Sequence, residues 1–320
     1  MQPTIVYNVY TGLIWDWRVA TDLFLGGVGV GAFLLAFVLW RFAAPAYRGL
    51  AQTAAVIAPV AVSMGLLLLF WKLGYKMHAY QMGLNFAPTS VMWWGAMIQG
   101  LFVALAAVFA FRLLFPTVNI LDFLSAERVG WVAAPVALIV GVYHGFLLAT
   151  VTSHPVWATG AMVMASVTLF AVTGPAAAVL VHSLRRGVGL GVAQEQDVAL
   201  WPARLRPVAQ GLIVGTLLVV VALIAWWADL RFGTIRGREA LSALLSHYGM
   251  LLGVVGVLLG LLLPAALLGW FGLRRGDGGP SAVVVATACV LILIGGFTVR
   301  YTAVLGGQIP PAPATLATLN

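Results

Sequence analysis

Few side chains in this sequence could carry chemistry, and most of them lie within or beside long apolar stretches. Asp22 lies early in the first apolar run, and Tyr143 and His144 lie late in the fourth. An ionisable group inside a membrane-spanning segment is costly and is usually functional. A carboxyl group and a phenol at similar depth can hydrogen-bond the carbonyl oxygens of a quinone and exchange protons with it. Two plainer interpretations compete with this one, because Asp22 could pair with Arg18 and Tyr143 could be a packing residue.

Other polar and aromatic groups are expected at the same end of the apolar runs. Lys72 ends the second run, and Trp94 and Gln99 open the third. His154 follows the fourth. A quinone site needs proton donors that water can reload, and an apolar slot for the ring and tail. We predict that the carboxyl group and the phenol bond the quinone carbonyls, with three candidate proton donors nearby (His144, His154 and Lys72). The residues predicted to contact or surround the quinone are Asp22, Tyr143, His144, His154, Lys72, Gln99 and Trp94.

The composition requires a lipid environment around these residues. The protein has 320 residues, of which 62% are hydrophobic and 8% are charged. A soluble domain carries about 25% charged residues, so a sequence of this composition could not cover a water-exposed surface. The formal net charge of +8 belongs to the loops, and no basic run with interleaved aromatic residues indicates a nucleic-acid partner. We therefore predict an integral membrane protein that contacts lipid.

Eight apolar stretches are long enough to cross a bilayer as helices, since about 20 residues span the hydrocarbon core. The fold class predicted is an all-α bundle of about eight transmembrane helices, forming a single domain over residues 1–320. A polar segment from about Arg185 to Pro207 is predicted to be the loop between the fifth and sixth helices. The predicted spans are 19–43, 51–74, 90–113, 129–152, 156–183, 207–228, 245–273 and 281–304.

The distribution of Lys and Arg predicts the orientation of the bundle. With eight spans, both termini lie on one side of the membrane. Ten of the 17 Lys and Arg residues fall in the loops after spans one, three, five and seven. Positive loops tend to be cytoplasmic, so both termini are predicted to be periplasmic. Asp22 and Tyr143 then lie towards the periplasmic end, in the cytoplasmic membrane of a bacterium or archaeon.

Neither haem nor an iron–sulfur cluster is expected in this protein. Membrane haem needs histidines paired at matching depth, and none of the five histidines has a clear partner near the middle of the membrane. Cys289 is the single cysteine, and one thiolate cannot hold a cluster. We predict no metal site, so a redox centre would have to belong to another subunit.

Short motifs of proline, aromatic and glycine residues are spread along the sequence. Pro88-Thr89-Ser90 precedes the pair Trp94-Gly95 at the start of the third span. Tyr143 is followed by Gly145 and then by Pro155-Val156-Trp157, and the last span contains Gly295-Gly296-Phe297-Thr298-Val299-Arg300-Tyr301. Together these motifs resemble the NrfD/PsrC family, whose members are membrane subunits of polysulfide-reductase-type respiratory enzymes. The similarity covers essentially the whole sequence.

This resemblance implies a haem-free, quinone-reactive anchor within a multi-subunit oxidoreductase. The implied partners are a ferredoxin-like iron–sulfur subunit and, through it, a molybdopterin or tungstopterin catalytic subunit, docked on the periplasmic face beside the quinone pocket. The quinone would be menaquinone or ubiquinone. Tyr143 matches a tyrosine at the quinone in polysulfide reductase, and Asp22 stands where that enzyme has a histidine. A glutamate expected late on the second helix is absent, so we do not predict a proton pump.

Two other functions remain open on the sequence. A secondary transporter could use the same polar groups as a substrate or proton site, although such proteins often have internal repeats and broken helices at mid-membrane. A purely structural anchor could retain polar groups that only satisfy one another. Neither the terminal substrate nor the direction of electron flow can be predicted from these residues.

Overall fold

The computed structural model describes residues 15–43, 45–78, 80–118, 124–187, 195–272 and 280–309. Side chains are described for these residues except 78, 82, 83, 186, 187, 195–204 and 272. The described part contains eight helices long and apolar enough to cross a membrane, and no strand. The predicted all-α membrane bundle is therefore confirmed. The helices are α1 (Trp17–Phe42), α2 (Arg48–Lys72), α3 (Val91–Leu114), α4 (Ala126–Ala149), α5 (Gly160–Gly187), α6 (Glu195–Phe232), α7 (Ile235–Phe271) and α8 (Ala282–Gly306).

Polar N-caps fix where several of these helices begin. The Asp16 side chain accepts a hydrogen bond from the Arg18 backbone N–H at the start of α1. Ser90 does the same for Trp93 at the start of α3, as expected for the residue that ends the Pro-Thr-Ser motif. A capping oxygen satisfies one of the free N–H groups of the first helical turn. The polar residue before each of these apolar runs thus sets the entry point of the helix.

Helix α1 lies at the centre of the bundle and contacts α2, α4, α5 and α8. Small residues allow its close approach to α2 and α5. A Cβ on Gly29 would lie 2.7 Å from the carbonyl oxygen of Ala58 in α2, and a Cβ on Gly31 would overlap the backbone of Phe170 in α5. Close backbone packing of this kind drives helix association in lipid. A side chain on the inner face of α1 is therefore held on several sides.

The two ends of the described sequence meet at one end of the bundle, which we call the outer end. The Trp15 backbone N–H donates to the Gln308 side-chain oxygen (2.9 Å), and the Gln308 amide donates to the Trp15 carbonyl oxygen (2.7 Å). The Trp15 ring also stacks on Trp157, with ring centroids 5.0 Å apart. This arrangement agrees with the even number of spans predicted from the sequence.

The predicted boundaries are least accurate around α6 and α7. Helix α6 begins at Glu195, inside the segment predicted to be a loop, although residues 188–194 of that segment lie outside the described residues. Helix α7 begins at Ile235, where its first turns are polar, about ten residues before the predicted span. Hydropathy detects only the part of a helix that lies in lipid, so helical turns beyond the bilayer were missed.

Candidate functional site

Asp22 lies on the buried face of α1, five residues after the helix begins, and is 3% exposed. It packs against Gly65 of α2, where an added Cβ would come within 2.6 Å of the Asp22 Oδ1 atom. Glycine at position 65 thus makes room for the carboxyl group. The Oδ1 atom has no hydrogen-bond partner among the described residues. A buried carboxyl oxygen without a partner is costly, so this group has capacity to bind something further.

The alternative pairing of Asp22 with Arg18 is wrong. The Arg18 guanidinium instead binds Asp16, with an N–O distance of 2.6 Å, and its Cζ atom lies 5.8 Å from the Trp71 ring centroid. Lys72 also points to Asp16, at 3.9 Å. Burial acts to raise the pKa of Asp16, but the hydrogen bonds from Arg18 and the charge of Lys72 outweigh it and hold that pKa below its ordinary value. The rim charges are therefore engaged with one another, not with Asp22.

Tyr143 lies on the buried face of α4 and faces the Trp-Gly pair of α3. A Cβ on Gly95 would overlap the Tyr143 hydroxyl group, so the glycine of that pair leaves the space that the phenol occupies. Asp22 is close enough to Tyr143 to interact electrostatically with it. The structure thus brings together the carboxyl group and the phenol that the sequence singled out, from two different helices.

An apolar groove of about 430 Å³ runs between α3 and α4 and reaches Tyr143. Trp94 forms part of its wall, and the indole N–H of Trp94 donates to the carbonyl oxygen of Pro88 (2.9 Å), which fixes the ring. Leu138, Ile139 and Phe146 line the groove and are each about half exposed on the lipid-facing surface. The groove therefore connects the phenol to the hydrocarbon region of the membrane.

His144 lies next to Tyr143 on α4 and is 1% exposed. Its ring packs against Gly26 of α1, where an added Cβ would come 2.8 Å from the Nε2 atom. Neither ring nitrogen has a hydrogen-bond partner among the described residues. Gly26 lies one helical turn after Asp22 on α1, so His144 extends the polar cluster one turn further into the bundle.

The remaining predicted site residues fall in three different places. Gln99 is buried one turn after Gly95 on α3, and its Oε1 atom has no partner among the described residues. Lys72 lies at the rim with Asp16. His154 lies in the α4–α5 connection, where its Nδ1 atom is 2.9 Å from the Gly307 carbonyl oxygen. His154 thus contacts the end of α8.

Arg300 is a buried polar residue that was not predicted as a site residue. It lies on α8, is 2% exposed and donates from Nη1 to the Ser166 hydroxyl oxygen of α5 (2.8 Å). It is also close enough to His144 to interact electrostatically with it. The sequence did contain the signal, since Arg300 is a charged residue inside the eighth apolar run. It was used only for the membrane orientation and as part of the motif in the last span.

The described residues contain no group of three or more His, Cys, Asp or Glu side chains that could hold a metal ion. The candidate site instead consists of Asp22, Tyr143 and His144, with spare hydrogen-bonding capacity and an apolar approach from the lipid. Such a set can bind a ligand that has an oxygen-bearing head and a hydrocarbon body.

Comparison with known proteins agrees with this architecture. Residues 6–312 match the family model described as polysulphide reductase, NrfD. The protein belongs to this family. Among NrfD-family relatives, Protein NrfD of Escherichia coli (strain K12) is 28% identical over 327 residues, which cover 95% of this sequence and 98% of the relative. The C subunit of polysulfide reductase from Wolinella succinogenes is 28% identical over 162 residues, which cover 46% of this sequence and 51% of the relative. The resemblance seen in the motifs is confirmed.

The protein belongs to the NrfD family and has eight helices able to span a membrane among its described residues. These findings support its assignment as a membrane subunit of a respiratory oxidoreductase. The Trp94-Gly95 pair, which was one basis of the resemblance, has a structural reason in this protein. The tryptophan side chain lines the groove, and the glycine, which has no side chain, leaves room for the Tyr143 hydroxyl group.

Proposed function

We propose that this protein is the quinone-binding subunit of a respiratory complex and exchanges electrons between the membrane quinone pool and an iron–sulfur partner subunit. The observation that carries the proposal is the buried Asp22 carboxyl group, which lacks a hydrogen-bond partner on Oδ1 among the described residues and is close enough to Tyr143 to interact electrostatically with it. Tyr143 in turn lines an apolar groove that faces the lipid.

The residue types fit a quinone. Its carbonyl oxygens accept hydrogen bonds, which the Tyr143 hydroxyl group, a protonated Asp22 and the N–H of His144 can donate. Neither the ring nitrogens of His144 nor the Oδ1 atom of Asp22 have a partner among the described residues. Its ring and isoprenoid tail need apolar surface, and the groove walls are formed by aliphatic and aromatic side chains. A mostly apolar pocket with a few convergent polar groups is the usual form of a small-molecule site.

Within this proposal, each side chain has one task. Tyr143 donates a hydrogen bond from its hydroxyl group to a carbonyl oxygen. Asp22 accepts or donates a proton at a carboxyl oxygen. Trp94 and Ile98 bound the entry for the hydrocarbon tail. The bound quinone supplies the chemistry of taking up two electrons and two protons, which is why proton-carrying groups must adjoin it.

The proposed partner is a ferredoxin-like iron–sulfur subunit docked at the outer end, with a molybdopterin or tungstopterin catalytic subunit beyond it. Electron transfer requires a short distance between the quinone and the iron–sulfur cluster. Asp22 lies only five residues after the start of α1, which is at the outer end. The connection between α2 and α3 also exposes Tyr75, Met77 and Phe86, each more than 70% accessible. Exposed apolar groups of this kind are suited to contact with another protein. We propose that this face is periplasmic.

Substitution of the two central residues tests the proposed function. In the purified complex, Asp22→Asn and Tyr143→Phe should each lower quinone-dependent turnover by about 10²-fold, as expected for loss of a proton-transferring group. Turnover of the catalytic subunit with an artificial electron donor or acceptor should not change, because that reaction bypasses the membrane subunit.

Tyr248→Phe is the matched control. Tyr248 lies on α7 and its ring contacts Tyr301, with ring centroids 6.4 Å apart, so it is a tyrosine outside the proposed site. This variant should retain wild-type turnover. Full quinone-dependent activity in both Asp22→Asn and Tyr143→Phe would exclude the proposed site, and isolation of the protein with no redox partner would favour the transporter.

A further inference from the structure

The turn between α6 and α7 lies at the outer end of the bundle. The indole N–H of Trp226, late on α6, donates to the carbonyl oxygen of Val156 in the α4–α5 connection (2.9 Å). That connection is part of the outer end, since Trp157 stacks on Trp15. The last residues of α6 and the first turns of α7 therefore lie near the membrane–water interface, where tryptophan side chains are enriched.

An apolar groove of about 230 Å³ lies just below this turn, between α6 and α7. Its walls carry aliphatic and aromatic side chains, with no carboxyl, hydroxyl, amide or imidazole group. Trp227 and Leu245 on its walls are each 43% exposed on the lipid side. A Cβ on Gly253 would meet nothing within 4 Å, so the groove is open at that residue. The groove can hold a hydrocarbon chain but lacks the proton-carrying groups that a quinone head needs.

Two arginines continue the walls of this groove beyond its outer end. Arg231 follows Trp227 by one helical turn on α6. Arg238 precedes Leu241, another wall residue, by one turn on α7. Residues three or four apart share one face of a helix. Both arginines therefore lie on the groove side of their helices, about 5 Å beyond its outermost wall residues along the helix axes.

The turn also brings the two arginines onto neighbouring helix ends. Gly237 precedes Arg238, and Leu230 precedes Arg231. A Cβ on Gly237 would lie 3.1 Å from the carbonyl oxygen of Leu230, so the two backbones are in close contact at this level. Backbones this close allow both long side chains to approach one anion.

The protein does not neutralise these two charges. Both arginines are exposed, and neither forms an ion pair among the described residues. The acids nearest to them in sequence lie on other faces. Asp229 is about 160° round α6 from Arg231, and Glu239 is about 100° round α7 from Arg238. The outer end of the groove therefore presents two arginines to the lipid headgroup region.

We propose that the α6–α7 hairpin binds one anionic phospholipid, with its phosphate group between Arg231 and Arg238 and one acyl chain in the groove. The guanidinium fork matches phosphate oxygens in geometry and charge. The glycerol backbone spans the helical turn between the arginines and the groove. A zwitterionic lipid brings a cation of its own to the two arginines, so the anionic headgroup is preferred. This inference is independent of the proposed quinone site, which adjoins the groove between α3 and α4.

Native mass spectrometry tests the headgroup contacts. The purified protein in mild detergent is delipidated and titrated with phosphatidylglycerol, and the dissociation constant of the first bound lipid is measured. Arg231→Gln and Arg238→Gln should each weaken binding about fivefold, and the double variant about 25-fold. Arg236→Gln is the matched control, because Arg236 is also exposed but lies about 160° round α7 from Arg238. This control should stay within about twofold of wild type, and phosphatidylcholine with the same acyl chains should bind about tenfold more weakly or worse.

A second pair of variants tests the groove. A leucine side chain in Gly253→Leu would fill the space meant for the acyl chain, so phosphatidylglycerol affinity should fall about tenfold or more. Gly269→Leu, later on α7, is the control, since a Cβ there also meets nothing within 4 Å but the residue lies outside the groove. This control should bind the lipid like wild type.

Three results would overturn the inference. Equal affinity for phosphatidylglycerol and phosphatidylcholine would show that the charge of the headgroup is not recognised. A loss in Arg236→Gln as large as in Arg231→Gln and Arg238→Gln would indicate general surface charge. Release of a protein subunit by Gly253→Leu, with no lipid bound to the wild-type protein, would show that the groove is covered by a second copy or a partner helix.

Discussion

Three glycines determine where the three central side chains of the site can lie. Gly65 faces Asp22, Gly95 faces Tyr143 and Gly26 faces His144, and a Cβ on any of them would collide with its partner. The sequence showed these glycines but not their partners, because glycine is abundant in this protein, with 36 residues. A polar residue inside an apolar run can be recognised from sequence, as Asp22 was. The glycine that accommodates it lies on another helix and requires the structure.

Gly95→Ala tests this complementarity at one residue. The added methyl group would overlap the Tyr143 hydroxyl group and ring, so the phenol must shift. We expect quinone-dependent turnover to fall about tenfold or more, with an overpacking cost of about 1–3 kcal/mol in stability. Gly100→Ala on the same helix is the control, because a Cβ there meets nothing within 4 Å. Equal turnover in the two alanine variants would show that the position of Tyr143 does not matter.

At the scale of helices, composition predicts the spans well and their contacts poorly. All eight spans were found because lipid requires about 20 apolar residues for each. Glycines four residues apart, which can allow helices to approach closely in lipid, are a weaker guide to those contacts. Gly260 does meet Gly295 of α8, but Gly249 and Gly253 line a lipid-side groove between α6 and α7. Spacing alone does not reveal whether a helix face meets another helix or lipid.

The contacts of Asp16 at the start of α1 predict how the stability of the fold depends on pH. The pKa of Asp16 lies below its ordinary value of 3.8, because hydrogen bonds from Arg18 and the charge of Lys72 outweigh the effect of burial. Its ionised form therefore stabilises the fold at pH values above about 3.8, and this contribution is lost as the pH falls further through the folded-state pKa. Since the pair is partly exposed, the ionic contribution should be about 1 kcal/mol or less.

Two substitutions separate the cap from the charge. Asp16→Asn keeps a capping oxygen and should be slightly less stable than wild type at pH 7, with the difference disappearing at acid pH. Asp16→Ala also loses the cap, at a further cost of about 1 kcal/mol. Thermal unfolding in detergent at matched pH values measures both effects. A deficit in Asp16→Asn that is the same at acid and neutral pH would contradict the ionic contribution.

At the scale of the whole molecule, the outer end is closed by contacts between residues far apart in sequence. Gln308 bonds Trp15, and the indole N–H of Trp157 donates to the carbonyl oxygen of Ala303 (2.7 Å). These contacts connect the entry of α1 to the end of α8 and to the α4–α5 connection. Helices α1 and α4 carry Asp22 and His144, so the closure holds two of the elements that assemble the candidate site. Sequence patterns within single helices could not predict it.

Substitution of two glutamines, one at each end of the bundle, tests whether the contacts at the outer end matter for function. Gln308 makes three described hydrogen bonds at the outer end, to Trp15 and to Val304. Gln52 joins α2 to α3 at the opposite end, through one bond to the Leu113 carbonyl oxygen (2.9 Å). Each lost hydrogen bond costs about 1 kcal/mol, and a carbonyl left unpaired adds to that cost. Both Gln308→Leu and Gln52→Leu should therefore lower the unfolding temperature.

Only one of the two variants should change the chemistry. In Gln308→Leu, α1 and α8 are free to shift relative to each other at the outer end, near Asp22. Quinone affinity and turnover should therefore both fall several-fold, because a small displacement of a binding group weakens its contacts with the ligand. In Gln52→Leu, the broken hydrogen bond lies at the far end of the bundle, so turnover per folded molecule should stay at the wild-type level. If both variants show the same turnover after correction for the amount of folded protein, the outer closure stabilises the bundle without positioning the site.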